Sequence, residues 1–433
     1  MTTLEASPVT IRLLSGITDP ADRLDLNGHE AVHGSLRLPG RRDAGWSNRF
    51  IAALDESGLT GRGGAGFPTA QKLQTIRAQR RRPVVVVNAM EGEPASGKDH
   101  FLATRVPHLV LDGAALMARS LDASAVQICV ARGSRVAARS FAAAVAERAR
   151  AGMREAPFEV VQPPARYVAG EESALANWLD GGESLPLFRP DRPAFPRVSG
   201  RPALVDNAET LAQVALIARY GPEWFRGVGT QEAPGTTLVT VSGAVRAPGI
   251  VEVALGTPVW SVLAMAGVVE RPAGVLLGGY GGTWLAGADV ATPYDPASLG
   301  AVGCTTGVGV MVALPTDGCG LAETARIARW MAGESAGQCG PCVFGLPTVA
   351  DDLSLLAYGR TRRRDIDRLW ARLGTIDGRG ACRHPDGVVR LVKSAISAFA
   401  ADLDHHLHHG PCRGANQQSV LAFPPVGEVV EWR

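Results

Sequence analysis

Pro83-Val-Val-Val-Val-Asn-Ala-Met-Glu-Gly-Glu-Pro94 joins four consecutive valines to an amide and two carboxylates. A short apolar run bounded by proline predicts a strand over residues 83–88, with an acidic turn beyond its end. In α/β sheets ligands bind past the carboxyl ends of strands. Asn88, Glu91 and Glu93 are therefore candidate binding residues, with a solvated acidic turn as the plainer alternative. Outward from this stretch, residues 125–131 and 158–161 are again strand-like, whereas 107–120, 136–151, 171–179 and 208–220 carry helical spacing. That alternation is α/β order. Cys129, inside the second strand-like run, reads as core.

Upstream, Gly61-Arg-Gly-Gly-Ala-Gly-Phe-Pro-Thr69 precedes Lys72. A run without bulky side chains lets backbone N–H groups approach a flat or anionic ligand, and Arg62 and Lys72 add positive charge. The spacing is not the usual dinucleotide fingerprint, and a purely structural turn is the competing reading. Downstream, Tyr167-Val-Ala-Gly-Glu-Glu-Ser173 puts Glu171 and Glu172 at a helix start, where carboxylates also act simply as dipole-favoured first-turn residues.

The chain has 433 residues, too many for one ordinary core, with 46% hydrophobic and 20% charged residues as in soluble globular proteins. A formal net charge of +2 gives no field suited to nucleic acid, and Arg80-Arg81-Arg82 reads as a solvated turn. Residues 1–15 lack the apolar core of a signal peptide, and no run approaches the roughly 18 apolar residues that span a bilayer. A cytoplasmic protein without direct membrane insertion is expected, held at the inner face of a membrane only through partner subunits.

Past a Gly- and Pro-rich linker at 227–235, the texture changes to short strands at 237–243 and 249–253 around a helix at 258–267, which suggests a β-grasp-like module. From about residue 321 it becomes helical, with helices expected at 323–331, 346–358, 366–373 and 388–407 and a poorly ordered tail after Cys412. The expected division is an extension over 1–45, an α/β domain over 46–230, the β-grasp module over 231–300, a helical domain over 301–412 and a tail over 413–433. Of seven cysteines, Cys339, Cys342 and Cys382 are grouped in the loops of the helical region, which favours metal or redox work over disulfides in a reducing compartment. Cys304, Cys319 and Cys412 look scattered, and the His405-His406 and His408-His409 pairs read as a solvated helix face.

Taken together, the glycine loop with Lys72, Asn88 with Glu91-Gly-Glu-Pro94, Tyr167 with Gly170-Glu-Glu172, Arg192-Pro-Ala-Phe-Pro196 and Asn207-Ala-Glu-Thr210 resemble, in order, the NADH-binding flavoprotein subunit of respiratory complex I and related diaphorase subunits. The resemblance spans roughly residues 58–382. It implies a flavin-binding α/β domain, a β-grasp module of the SLBB type and a helical iron–sulfur bundle. It also implies that Gly61, Arg62, Gly63, Gly64, Ala65, Gly66, Lys72, Asn88, Glu91, Tyr167, Gly170, Glu171, Asn207 and Thr210 surround FMN. Phe67 and Phe195 would stack on the adenine of NADH, with Glu93, Glu172 and Arg192 near its riboses and pyrophosphate. The implied activity is hydride transfer from NADH to FMN, with no catalytic acid or base, and release of single electrons to an iron–sulfur protein or ferredoxin-type acceptor, the chain being a subunit of a larger redox complex.

Several positions depart from the family pattern. Met90 stands where the family usually has Asp, Asp206 replaces the first of two asparagines, Thr75 falls at an often aromatic position, and Arg192 replaces a lysine, which leaves NADPH open as a second nicotinamide. The cluster motif reads Glu334-Ser-Ala-Gly-Gln-Cys-Gly-Pro-Cys342, with Ala336 in place of the first cysteine. Three thiolates suit a 3Fe–4S cluster, or a 4Fe–4S cluster completed by a fourth ligand for which Ser335, Cys319 and His384 are near in sequence. Cys339, Cys342, Cys382 and His384 also have zinc spacing, and an empty site is the third alternative. Two rival functions follow: a diaphorase subunit for a ferredoxin, hydrogenase or formate dehydrogenase system, and a nucleotide-binding module that has lost electron transfer.

Overall fold

β1 (Val84–Ala89) is buried through its valines and lies at the centre of a sheet with β2 (Val126–Val130), β3 (Phe158–Val161), β4 (Arg197–Val198) and β5 (Arg201–Asn207), in the order β3-β2-β1-β5-β4. The computed structural model describes residues 11–19, 22–40, 43–188, 195–426 and 432–433. Every pairing in this sheet is parallel except that of β4 with β5. The chain steps from β1 to β2 to β3 in one direction and then returns to β5 on the other side of β1. The gap past the ends of β1 and β5 is thus the switch point at which such sheets take ligands. On one face the helices Pro107–Ser120 and Ala208–Tyr220 pack so closely that a Cβ at Gly113 would fall 1.8 Å from the Leu211 carbonyl oxygen.

A second sheet holds β6 (Thr236–Gly243), β7 (Gly249–Ala254), β8 (Gly274–Leu277), β9 (Thr283–Ala286) and β10 (Val310–Leu314), ordered β7-β6-β10-β8-β9. β10 runs parallel to β6 and antiparallel to β8. This central strand lies beyond residue 300, so the sheet reaches further along the chain than the sequence division allowed. Its two partners are both distant in sequence, and only their pairing distinguishes a fully buried Val310–Leu314 from the start of the helical region. The helix Val259–Met265 covers one face, where Val262 and Leu263 join Val239, Val253 and Met311.

The helices Gly320–Gly333, Leu346–Tyr358, Arg363–Ile376, His384–Ala398 and Ala400–His409 form the third part. The single helix expected over 388–407 is two, broken at Phe399. This side chain stands edge-on to Trp284 at 5.1 Å and fills the space beside Gly320, where a Cβ would sit 2.2 Å from the ring. The segment after Cys412 is also better anchored than its composition suggested. Trp330 Nε1 donates to Pro424 O at 2.9 Å, Arg326 Nη2 to Gln417 O at 2.7 Å, and Leu421 is buried. At the other end, Glu252 on β7 accepts the backbone N–H groups of Arg12, Leu13 and Leu14 at 2.8, 2.8 and 3.1 Å. Among the described residues no single helix is long and apolar enough to cross a membrane; the bent pair Lys98–Arg105 and Pro107–Ser120 passes such a test together at a 95° bend, but Pro107–Ser120 is buried core.

Candidate functional site

The parallel register of β1 and β5 sets Asn88 directly against Asn207, so two side-chain amides stand together at the switch point. Asn207 caps the helix Ala208–Tyr220 by accepting from Glu209 N at 3.0 Å. The same Oδ1 accepts from Lys98 Nζ at 3.0 Å, and Nδ2 donates to Asp99 Oδ2 at 2.7 Å. Lys98 is fully buried and also pairs with Asp99 Oδ1 at 2.8 Å and Glu209 Oε2 at 3.2 Å. Burial pulls its ammonium down, but Asp99, Glu209 and Glu91 together hold it above the usual lysine value. It is a fixed cation in the site wall. Neither Lys98 nor Asp99 stood out in the sequence, although they extend the charged run from Glu91 into the helix Lys98–Arg105.

The acidic loop is held in an unusual conformation. Glu91 has φ 45°, in the left-handed region that L side chains rarely adopt, and its carboxylate accepts from His100 N at 2.7 Å in the first turn of that helix. Gly92 passes so near the turn Tyr167–Gly170 that a Cβ would lie 2.8 Å from Tyr167 O. Glu93 accepts from Tyr280 N at 2.9 Å, Ala95 N at 3.2 Å and the Tyr167 hydroxyl at 3.4 Å. Burial pushes the carboxyls of Glu91 and Glu93 up to about 7, with Asp99 adding to the effect at Glu91. Asn88 Nδ2 donates to Gly170 O at 2.8 Å, and Glu171 caps the helix Glu172–Leu179 through Ser173 N and Ala174 N.

These elements enclose a cleft of about 350 Å³ at which all three parts of the fold meet. Gly63, Gly64, Asn88, Glu91, Glu93, Tyr167, Gly170, Glu171 and Asn207 line it, as do Lys98 and Asp99. The second sheet contributes Gly278, Gly281, Gly307 and Val308; the bundle contributes Met331, Cys382, His384 and Arg390. The glycine-rich loops of the second sheet were not singled out by sequence; their signal was the repeated glycine in Gly278-Gly-Tyr-Gly-Gly282.

Other expected residues lie around the cleft instead of on its wall. Gly61 N donates to Phe67 O at 2.9 Å and closes the glycine loop, while Gly64 and Gly66 take φ of 98° and 63°. Arg62 N donates to Thr210 Oγ1 at 2.9 Å, and the Arg62 guanidinium reaches inward to Thr60 Oγ1 and Thr236 O, each at 3.3 Å. Lys72 points into the protein, bonded to Glu172, Val205 O and Asp206. Ala65 is exposed, Phe67 is half exposed, and Phe195 is buried with the Arg197 guanidinium 5.6 Å from its ring centre. Arg192 lies outside the described residues.

Of the grouped thiols, Cys342 and Cys382 are buried and Cys339 is half-buried. Burial first, and then Cys339 and Cys382 alongside, push the Cys342 thiol well up, with the Ser335 side chain hydrogen-bonded to it. Of the three residues offered as a fourth ligand, Ser335 is hydrogen-bonded to one of the thiols. The His384 ring bonds through Nε2 to Met331 O at 2.9 Å and lies edge-on to Tyr167 at 5.4 Å, with Nδ1 left without a hydrogen-bond partner; among the described residues it does not gather with the three thiols within the 4.8 Å that a shared zinc ion would require. Cys319 lies elsewhere, with its Sγ 3.8 Å from His406 Nε2.

Comparison with known proteins matches the same three parts. Residues 54–216 match the Nuo51 FMN-binding domain, 238–275 the SLBB domain, and 322–406 the NADH-ubiquinone oxidoreductase-F iron-sulfur binding region. The flavoprotein subunit of the NADH-quinone oxidoreductase of Mycobacterium bovis is 31% identical over 91% of each chain. This chain belongs to the family of NADH-quinone oxidoreductase flavoprotein subunits. Its relative in Escherichia coli is 31% identical over 87% of each chain, and one in Rhizobium meliloti is 29% identical over 92% of this chain and 98% of its own. Among solved structures, the NAD+-reducing NiFe hydrogenase in its H2-reduced state superposes with a TM-score of 0.78 at 30% identity, covering 84% of this chain but 64% of that one.

The cleft of this family member has both room and donors for a flavin. Glycine paves it: a Cβ would come within 3.2 Å of Val308 at Gly64, 3.3 Å of Met90 at Gly170 and 3.1 Å of the Tyr167 hydroxyl at Gly281. Backbone groups therefore face the space directly, and fixed amides, carboxylates and an ammonium converge on it, which fits a flat ring carrying hydroxyls and a phosphate. The departure at Met90 puts an apolar, buried side chain on that wall. Asp206 is buried with Lys72 and leaves Oδ2 without a hydrogen-bond partner. Three converging thiols with an adjacent hydroxyl fit an iron–sulfur cluster held by Cys339, Cys342 and Cys382.

Proposed function

We propose that this chain accepts hydride from NADH onto FMN held in the cleft and passes single electrons through a cluster on Cys339, Cys342 and Cys382 to an iron–sulfur protein or ferredoxin-type acceptor. The observation that carries this reading is that Cys382 stands on the wall of the same cleft that Asn88, Glu91 and Asn207 line. One thiol of the cluster set thus borders the flavin space directly.

FMN, when bound, supplies a two-electron acceptor that can release electrons singly. The protein's share is binding, orientation and electrostatics. In this reading Asn88, Glu91, Glu171 and Asn207 hydrogen-bond the ribityl hydroxyls, while Lys98 and the N–H groups of Gly63 and Gly64 favour the phosphate. Gly61, Arg62, Ala65, Gly66 and Thr210 hold the glycine loop in shape, Lys72 anchors Glu172 and β5 behind it, and Tyr167 and Gly170 set the far wall. Phe67 and Phe195 lie at the nucleotide side, with Glu93, Glu172 and Arg192 as its polar partners. No side chain needs to move a proton for hydride transfer. The similarity to the hydrogenase chain supports a diaphorase subunit of a larger complex as a second form of the same function, on the cytoplasmic side and peripheral to any membrane.

The test is a visible spectrum of the protein purified without oxygen, before and after NADH. Flavin absorbance that bleaches, over a broad iron–sulfur shoulder, is the expected result. Protein that stays colourless after reconstitution with FMN, iron and sulfide would overturn the reading.

A further inference from the structure

We propose that Cys319, His406 and Cys412 bind a zinc(II) ion that fastens the turn after the helix Ala400–His409 to the start of the helix Gly320–Gly333. The three residues come from separate elements. Cys319 is the N-cap of Gly320–Gly333, His406 lies on Ala400–His409, and Cys412 follows the Gly410 turn that ends it. Their ligand atoms all lie within 4.8 Å of one another.

The geometry suits a tetrahedral ion. With zinc–sulfur bonds of about 2.3 Å and zinc–nitrogen bonds of about 2.0–2.1 Å, ligand sulfur and nitrogen stand roughly 3.6 Å apart; Cys319 Sγ and His406 Nε2 stand 3.8 Å apart. His406 Nδ1 donates to Leu356 O at 2.9 Å, which fixes the tautomer and leaves Nε2 as the acceptor nitrogen, 3.8 Å from Cys319 Sγ. A carbonyl bonded to the far ring nitrogen is how metal-bound histidines are oriented. Cys319 Sγ accepts from Ala322 N at 3.4 Å in the first helical turn, where the positive end of the helix favours a thiolate.

The alternatives fit less well. Without a cation, a buried thiol, a half-buried thiol and a buried imidazole lie together, whereas a divalent ion that displaces the two thiol protons leaves two thiolates and the ion neutral overall. The Cys412 amide donates to His406 Nε2 at 3.1 Å, and zinc takes the place of that bond. Gly410 with φ 84° and a half-buried Cys412 place the adjustment in a surface turn, where a water completes the fourth position.

The test is zinc content of the full chain after zinc loading and removal of loose metal with a weak chelator, read by mass spectrometry of the metals. Zinc held at Cys339, Cys342 and Cys382 is subtracted by working in a Cys342→Ser background. About one zinc per chain is expected there, falling at least tenfold when Cys412→Ser or His406→Ala is added. Cobalt(II) should give sulfur-to-metal absorption that Cys412→Ser abolishes. Cys412→Ser, at the half-buried position, keeps the test open if His406→Ala does not fold. Unchanged zinc in Cys412→Ser, no retained zinc in the parent, or an intact mass lighter by two hydrogens from a Cys319–Cys412 disulfide would each overturn the proposal.

Discussion

Lys98 Nζ sits 3.0 Å from Asn207 Oδ1, so the amide that caps the helix Ala208–Tyr220 and stands opposite Asn88 is held by a buried ammonium. That ammonium is in turn neutralised by Asp99 and Glu209. Removing it leaves two carboxylates buried without their cation, which costs about 3–5 kcal/mol in comparable pairs. Lys98→Met is expected to lower the thermal midpoint of the apoprotein by several degrees and to abolish FMN retention. Both are checked by calorimetry and by flavin absorbance per chain; unchanged flavin content would remove Lys98 from the site.

The Glu93 carboxyl, pushed up from 4.5 to about 7 by burial, makes the fold sensitive to alkali. A carboxyl that ionises less readily in the fold than in the unfolded chain stabilises the fold while protonated. That contribution is complete below about pH 4.5 and is lost as pH rises through about 7. The full difference is about 3 kcal/mol. Urea midpoints measured between pH 5 and 8 should therefore fall for the wild type relative to Glu93→Gln, which keeps an oxygen for Tyr280 N but cannot ionise. Parallel pH curves for the two proteins would show that Glu93 titrates normally.

The α/β order and the acidic loop past β1 were legible because each is local: the valines of β1 and the Asn88–Glu93 turn are contiguous, and periodicity reads contiguous residues. The opposition of Asn88 to Asn207 could be anticipated only as two loops near one ligand, since register is a long-range property. Lys98 was missed because a lysine beside an aspartate at a helix start reads as a solvated pair, and only the approach of Glu209 from another helix buries it. Lys72 was legible as a cation but not as one facing inward, because Glu172 and Asp206 arrive from distant segments. The place of β10 in the second sheet escaped for the same reason, both its neighbours being far along the chain, and so did the meeting of Cys319 with His406.

Gly92 lies where the acidic loop crosses the turn Tyr167–Gly170, and the nearest atom to an added Cβ is a backbone oxygen at 2.8 Å that no rotamer change can move. Gly92→Ala should displace the loop against the turn, at a cost of about 1–3 kcal/mol, and reduce FMN per chain at least tenfold. Gly374→Ala is the control: its Cβ meets nothing within 4 Å inside the helix Arg363–Ile376. It should leave flavin unchanged and stabilise slightly, since alanine is favoured over glycine in helices by up to about 1 kcal/mol. Equal flavin content in the two variants would show that the loop tolerates the displacement.

Ala336 stands two residues past Glu334, whose carboxylate receives Tyr167 N at 3.0 Å and Arg166 Nε at 3.0 Å, so the segment leading to the thiols is tied to the cleft wall. With three cysteines, one iron of a four-iron cluster has only a weaker donor such as Ser335, which reaches Cys342. Ala336→Cys restores the fourth thiolate of the family motif and should raise the iron retained per chain after brief exposure to air from about three towards about four. Before air exposure, Ser335→Ala in the native background should lower the iron bound from about four towards about three, while Ser335→Ala added to Ala336→Cys should not, because the hydroxyl is then no longer a ligand. Iron and sulfide assays on the four proteins check this. Iron retention that Ala336→Cys leaves unaltered would mean that the cluster completes its coordination without this segment.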